Sequence, residues 1–313
     1  MEKINYISSF EELVNNTPLY HPKRWLQKKG FPEAKLFVKL ESFNPSGSVK
    51  DRAALGMILD LEERGLLKAG GTIIEPTSGN TGIGAAAIAA ARGYRAIFTL
   101  PDSMTVERRN LLKAYGAELV LTPGADGMKG AISKAQSLLE EIPGSVTLGQ
   151  FVNEANPRYH EKTTGAEIWR DCPEIDVFVS GVGTGGTLTG VARAIRKHKD
   201  ALEVIAVEPD TSPVLSGGPA GKHGIQGIGA GFIPEILDLE QVDKVLQVKQ
   251  AAAGEATRDF AQSEGLLLGI SSGAALAACF DLLQDPEYAG KTIVTVLPDS
   301  GDRYLSTGVF DQE

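Results

Sequence analysis

Short apolar runs recur along the chain, each followed by a turn of small or polar residues and then by apolar positions at helical spacing. Lys35–Leu40 predicts a strand, and Ser48–Gly65 a helix that Gly65 terminates. Next come a strand at Thr72–Glu75 and an alanine-rich helix at Gly82–Arg92, then a strand at Ala96–Leu100 and a helix at Thr105–Tyr115. The strand Glu118–Leu121, the helix Met128–Glu141 and the strand Val146–Leu148 complete this half. A polar stretch, Gln150–Pro157, separates it from a second set. That set has a helix at His160–Arg170, a strand at Asp176–Ser180, a helix at Leu188–His198 and a strand at Glu203–Glu208. The strand Lys244–Val248, helices Gln250–Ser263 and Gly273–Leu283, and the strand Lys291–Leu297 follow. Strands alternating with helices predict an α/β chain whose mostly parallel open sheets are covered by helices on both faces. The expected organisation is two-lobed: a smaller, mobile lobe of residues 46–152, and a larger one of residues 1–45 and 153–313.

Composition narrows the class of partner. A formal charge of −9 argues against nucleic acid and anionic membrane. Cys172 and Cys279 are far apart in sequence and form no CxxC pair, which suits a reducing cytoplasm. His21, His160, His198 and His223 are too scattered to suggest a metal cluster. The N-terminal residues have no apolar signal core and no stretch is long enough to span a bilayer, so the expected location is cytoplasmic.

Candidate chemistry lies in the turns. In Asn44-Pro45-Ser46-Gly47-Ser48-Val49-Lys50, a turn of small residues puts Lys50 in the first turn of a helix. The positive helix end and any desolvation there disfavour its ammonium form, priming it as a Schiff-base and proton-abstracting amine. Alone this says little, since most such lysines are solvated. The turn Glu75-Pro76-Thr77-Ser78-Gly79-Asn80-Thr81-Gly82 offers backbone N–H groups, hydroxyls and an amide suited to a carboxylate, beyond what a helix cap requires. The turn Ser180-Gly181-Val182-Gly183-Thr184-Gly185-Gly186-Thr187 can close around a phosphate. It also satisfies G-x-G-x-x-G, with Glu208 at the distance of a ribose-binding acid, so an NAD-dependent dehydrogenase is the rival of a different class. That reading leaves the other turns unexplained. Gly269-Ile270-Ser271-Ser272-Gly273 has the form of a nucleophile elbow, but no histidine follows His223, which excludes the hydrolase order. Ser271 is instead suited to capping, or to a heteroaromatic nitrogen. Lysine, carboxylate turn, phosphate turn and serine together describe pyridoxal 5′-phosphate and an amino acid.

Over almost its whole length the chain resembles the cysteine synthase (O-acetylserine sulfhydrylase) family of fold-type II pyridoxal-phosphate enzymes. The likeness is carried by Asn15–Leu19, Pro45–Arg52, Glu75–Gly82, Glu107–Arg109, Gly127–Ala131, Gly183–Thr187, Gly227–Phe232, Ile270–Ala274 and Asp299–Thr307. It implies that Lys50 carries the cofactor, that Asn80 bonds the ring 3′ oxygen, and that Gly183, Thr184, Gly185, Gly186 and Thr187 hold the phosphate. Ser271 would face the pyridine nitrogen. Thr77, Ser78, Gly79 and Thr81 would grip the substrate carboxylate, with Gln150 as a further contact. The implied reaction converts O-acetyl-L-serine and sulfide to L-cysteine and acetate. Cystathionine β-synthase and sulfhydrylases using O-phosphoserine or thiosulfate are the near alternatives. Family members are commonly homodimers, and many dock the C-terminal tail of serine acetyltransferase. Two positions depart from the family pattern: Glu154 and Ala166 each stand where proline is usual.

Overall fold

The computed structural model describes residues 6–77 and 79–311. The chain divides into two compact units, Met1–Asn15 with Asn44–Asn156, and Asn16–Phe43 with Pro157–Glu313.

The first unit is built on three parallel strands, β3 (Thr72–Pro76), β4 (Arg95–Pro101) and β5 (Glu118–Thr122), in that spatial order. Its helices are α2 (Lys50–Glu63), α3 (Asn80–Arg92), α4 (Val106–Ala114) and α5 (Gly127–Glu141). Ile74 of β3 and Ile97 of β4 pack with Ala135, Leu138 and Leu139 of α5. Their neighbours Ile73 and Phe98 are buried as well, on the opposite face because side chains alternate along a strand. Both faces are therefore covered, as a parallel sheet requires. The predicted strand at Val146–Leu148 is reduced to one bridge: Ile74 N–H donates to Val146 O at 2.8 Å and Val146 N–H to Thr72 O at 2.9 Å. Beyond that point a side chain of β3 takes over the pairing, as described below.

The second unit holds a six-stranded sheet in the order β1 (Leu19–Tyr20), β2 (Leu36–Leu40), β9 (Ile293–Leu297), β6 (Val177–Gly181), β7 (Glu203–Pro209), β8 (Lys244–Val248). All pairs are parallel except β1 with β2. Alternate residues serve opposite cores. Val177, Val179, Ile205, Val207, Ile293 and Leu297 pack with α1 (Lys23–Lys28), α9 (Gln250–Glu264) and α10 (Ile270–Gln284). Phe178, Val204, Ala206, Val294 and Val296 pack with α7 (Ala166–Asp171) and α8 (Gly186–Arg196). Each such side chain contributes about 1.5–3 kcal/mol on burial, so a one-residue slip of a strand would misplace several at once and the register is strongly specified.

The helix expected at His160–Arg170 begins earlier and is interrupted: α6 (Ala155–His160), a π-turn over Glu161–Gly165, then α7. Among the described residues no helix is long and apolar enough to cross a membrane.

Candidate active site

Lys50 is the first residue of α2, after a turn in which Gly47 adopts φ 84° and donates to Asn44 O at 2.8 Å. The residues after Lys50 anchor that start. The Asp51 carboxylate accepts from the Ser46 N–H at 2.7 Å and from the Ser46 hydroxyl. The Arg52 guanidinium, fully buried, donates to Asn15 Oδ1 at 2.9 Å. Helix α3 crosses directly against this point: a Cβ on Gly84 would lie 2.9 Å from Asp51 Oδ1 and 3.1 Å from the carbonyl carbon and oxygen of Lys50. The backbone that carries Lys50 is thus fixed on several sides.

Helix α3 begins at Asn80, and its N-cap residue Gly79 provides no side-chain cap. The start of this 13-residue helix is its positive end, the place where an anion is stabilised. A Cβ on Gly79 would meet nothing within 4 Å, and its φ of −106° suits any residue, so the protein's own packing does not demand glycine there. The Thr81 hydroxyl does not cap the helix. It donates to Gln150 Oε1 at 2.6 Å, which joins two of the proposed carboxylate contacts. Ser78 lies outside the described residues.

Glu75, at the end of β3, is 3 % exposed. Its Oε2 accepts from the Thr147 hydroxyl at 2.6 Å, the Leu148 N–H at 2.9 Å and the Gly149 N–H at 3.4 Å. Burial pushes this carboxyl above its usual range against the pull of those donors.

In the other unit, α8 follows β6 through Val182–Gly185, and its N-cap Gly185 (φ 84°) again provides no side-chain cap. Gly183 leaves no room for a side chain, since its Cβ would fall 2.3 Å from Gly227 O. A Cβ on Gly227 (φ 98°) would in turn lie 3.4 Å from Ser271 Oγ. Loop, glycine segment and serine thus converge within one unit. Ser271 is buried in the first turn of α10, whose N-cap Gly269 also lacks a side-chain cap. Thr187 Oγ1 lies 3.3 Å from His160 Nε2, and His160 Nδ1 lies 2.8 Å from Thr164 Oγ1, so the loop's hydroxyl is supported from the π-turn. Glu208, the acid the dehydrogenase reading needs, is already engaged. It accepts from Leu215 N–H at 2.7 Å, Ser216 N–H at 3.1 Å and the Ser216 hydroxyl at 2.6 Å. Its carboxylate closes a turn instead of waiting for a ribose.

The sequence reading brought out the turn residues but missed Glu75 and His160 as supports. Their partners are up to 74 and 27 positions away, and no local pattern announces them. Among the described residues no group of three or more His, Cys, Asp and Glu is placed to hold a metal ion.

Each unit's chemistry suits part of pyridoxal phosphate: in the second, N–H groups and hydroxyls at the start of α8 suit the phosphate dianion and the Ser271 hydroxyl suits a ring nitrogen, and in the first, Lys50 is an amine suited to the aldehyde. Comparison with known proteins agrees. A family model described as pyridoxal-phosphate dependent enzyme matches residues 10–299. A cysteine synthase of Staphylococcus aureus is 50% identical over 306 residues, which cover 97% of each chain. The crystal structure of a cysteine synthase from Entamoeba histolytica superposes with a TM-score of 0.92 at 42% identity, covering 100% of this chain and 95% of that one. An O-ureido-L-serine synthase does so with the same score and identity, covering 98% and 96%. The chain belongs to the pyridoxal-phosphate-dependent enzymes, in their cysteine synthase group.

Proposed function

We propose that the protein is a cysteine synthase that replaces the acetoxy group of O-acetyl-L-serine with sulfide, giving L-cysteine and acetate. The observation that carries this reading is the convergence of the Gly183–Thr187 loop, Gly227 and buried Ser271 in one unit. A serine hydroxyl at the ring nitrogen leaves the ring a weaker electron sink than an acid would. Loss of a good leaving group from Cβ tolerates that weakness, whereas transamination does not.

When bound, pyridoxal phosphate supplies an aldehyde that takes up amines and a ring that draws electrons from the substrate Cα. Lys50 is the residue that would hold it covalently, and its Nζ would remove the Cα proton as acetate leaves Cβ and return a proton to Cα after sulfide adds at Cβ. Asn80 would hold the ring 3′ oxygen, and Gly183, Thr184, Gly185, Gly186 and Thr187 would hold the phosphate. Thr77, Ser78, Gly79 and Thr81 bind the substrate carboxylate at the positive end of α3, with Gln150 completing the grip.

The relatives include an O-ureido-L-serine synthase and an O-acetylserine-dependent cystathionine β-synthase from Helicobacter pylori, so the nucleophile is the point to resolve by assay. The purified protein is expected to show a visible absorption band that borohydride bleaches and that Lys50→Ala lacks. O-Acetyl-L-serine with sulfide should yield cysteine faster than O-phosphoserine with sulfide, or O-acetylserine with homocysteine. A colourless protein that binds a dinucleotide would sink the proposal, and so would faster turnover with homocysteine.

A further inference from the structure

We propose that Glu75 is a positioning residue: its buried carboxylate holds Thr147–Gly149 so that Gln150 reaches Thr81 and presents its amide to the substrate carboxylate. The inference rests on the reading of Gln150 as a carboxylate contact, and deepens it.

The argument begins at the edge of β3. On one side β3 pairs along its length with β4, and on the other, among the described residues, it pairs only with Val146, through two backbone hydrogen bonds. At Thr147 the neighbouring chain leaves strand register, and its N–H groups need acceptors other than the β3 backbone. Glu75 Oε2 meets this need, with the Thr147 hydroxyl and the Leu148 and Gly149 N–H groups all directed at it. Gly149 then turns the chain at φ 68°, and the next residue is Gln150. Gln150 is held in two further ways: Asn156 Nδ2 donates to its carbonyl at 3.1 Å, and Thr81 Oγ1 to its side-chain oxygen at 2.6 Å. With that oxygen occupied, the amide N–H2 is the end left to meet an anion. Glu75 also precedes the carboxylate turn by one proline, since Pro76 and Thr77 follow it directly. The Glu75 carboxylate therefore fixes one wall of the substrate grip, Gln150, from a position two residues before Thr77. A buried, satisfied glutamate that only stabilised the sheet would have no such consequence for one substrate over the other.

The test uses the holoenzyme and its variants E75Q, E75A, Q150A and E75A/Q150A. The readouts are kcat, KM for O-acetyl-L-serine, KM for sulfide, and amide hydrogen exchange of the segment 147–150. For E75A the expected result is a KM for O-acetylserine raised at least about tenfold, with KM for sulfide within about twofold, and exchange of 148–149 at least about tenfold faster. E75Q should fall between E75A and the unmodified protein, since its amide keeps one acceptor oxygen. Because Glu75 acts through Gln150, the double variant should match Q150A within about twofold. Effects that multiply in the double variant, or an E75A that alters both KM values and kcat alike, would overturn the proposal. If E75A does not fold, Thr147→Val in the unmodified and Q150A backgrounds gives the same comparison by removing a single donor. An unchanged KM in Q150A beside fast exchange in E75A would overturn the assignment of Gln150 to substrate, while leaving the hold of Glu75 on the backbone demonstrated.

Discussion

A methyl group added at Gly84 would press on the backbone of Lys50, whereas one added at Gly79 would enter open space. The two glycines stand in one turn-and-helix segment and are bare for different reasons, which substitution separates. Gly84→Ala forces α2 and α3 apart at Lys50, and overpacking of this kind costs about 1–3 kcal/mol. The expected outcome is a lower melting temperature together with a kcat/KM reduced at least about tenfold. Gly79→Ala should melt within a few degrees of the unmodified protein, since φ −106° suits alanine and an altered N-cap costs about 1 kcal/mol at most. Its KM for O-acetylserine should nevertheless rise, because the methyl occupies the approach to the α3 N–H groups. Equal effects on stability in the two variants would contradict this distinction. The cysteines give a contrasting prediction. Burial pushes the thiols of Cys172 and Cys279 up to about 12, so neither presents a thiolate at neutral pH. Native protein at pH 8 should not react with a thiol reagent over an hour, and unfolded protein should titrate both.

Among the elements, the strands and helices that bury two faces or one long stripe were legible, and the short or interrupted ones were not. Strand β8 was read to the residue, at Lys244–Val248, and α9 within one residue of its end. Helix α1 escaped because only Trp25 and Leu26 of its six residues are buried, and its start is pinned by a distant partner: Trp25 N–H donates to Glu264 Oε1 at 2.6 Å. The π-turn at Glu161–Gly165 is likewise a product of packing. Gly190 of α8 has no room for a Cβ, which would come within 2.4 Å of Pro157 O and 2.7 Å of Glu161 N, and Gly165 fits against Ala194 in the same way. After this turn Ala166 opens α7 with φ −64° and ψ −39°, torsions that proline can adopt at a first helical position. Its N–H bonds Thr163 O, and losing that bond costs about 0.5–1.5 kcal/mol. Restricting the unfolded chain returns about 0.4–1 kcal/mol. The preceding residue is glycine, which tolerates the α conformation before proline best because the Cβ contact is missing. Ala166→Pro should therefore leave activity unchanged and shift the melting temperature by no more than about 3 °C. Ala192→Pro, in the interior of α8, should cost about 3 kcal/mol or more. A large loss from Ala166→Pro in thermal denaturation would show that the Thr163 bond holds the π-turn together.

For the molecule as a whole, the proposed site residues stand out in the sequence because parallel α/β folds place chemistry in local turns at the carboxyl ends of strands. What holds those turns was not legible, since it depends on approaches between remote segments such as Gly183 with Gly227. The proposed residues are divided between the units, with Lys50 and the carboxylate turn in one and the phosphate loop and Ser271 in the other. The division has a thermodynamic consequence. A phosphate site made by α8 and Gly183–Thr187 lies wholly within the second unit, so it should bind inorganic phosphate without the rest of the cofactor. Any ligand of the native state stabilises it by RT ln(1 + [L]/Kd), about 2.7 kcal/mol at a hundredfold excess over Kd. Protein stripped of cofactor should therefore melt several degrees below the holoenzyme and regain part of that loss in tens of millimolar phosphate. Chloride at matched ionic strength should restore none of it. Gly183→Ala, which places a methyl against Gly227 O, should abolish the phosphate response, while Lys50→Ala should keep it. A Lys50→Ala protein insensitive to phosphate would mean that the loop is not a phosphate site by itself, and that its glycines serve the packing of α8 alone.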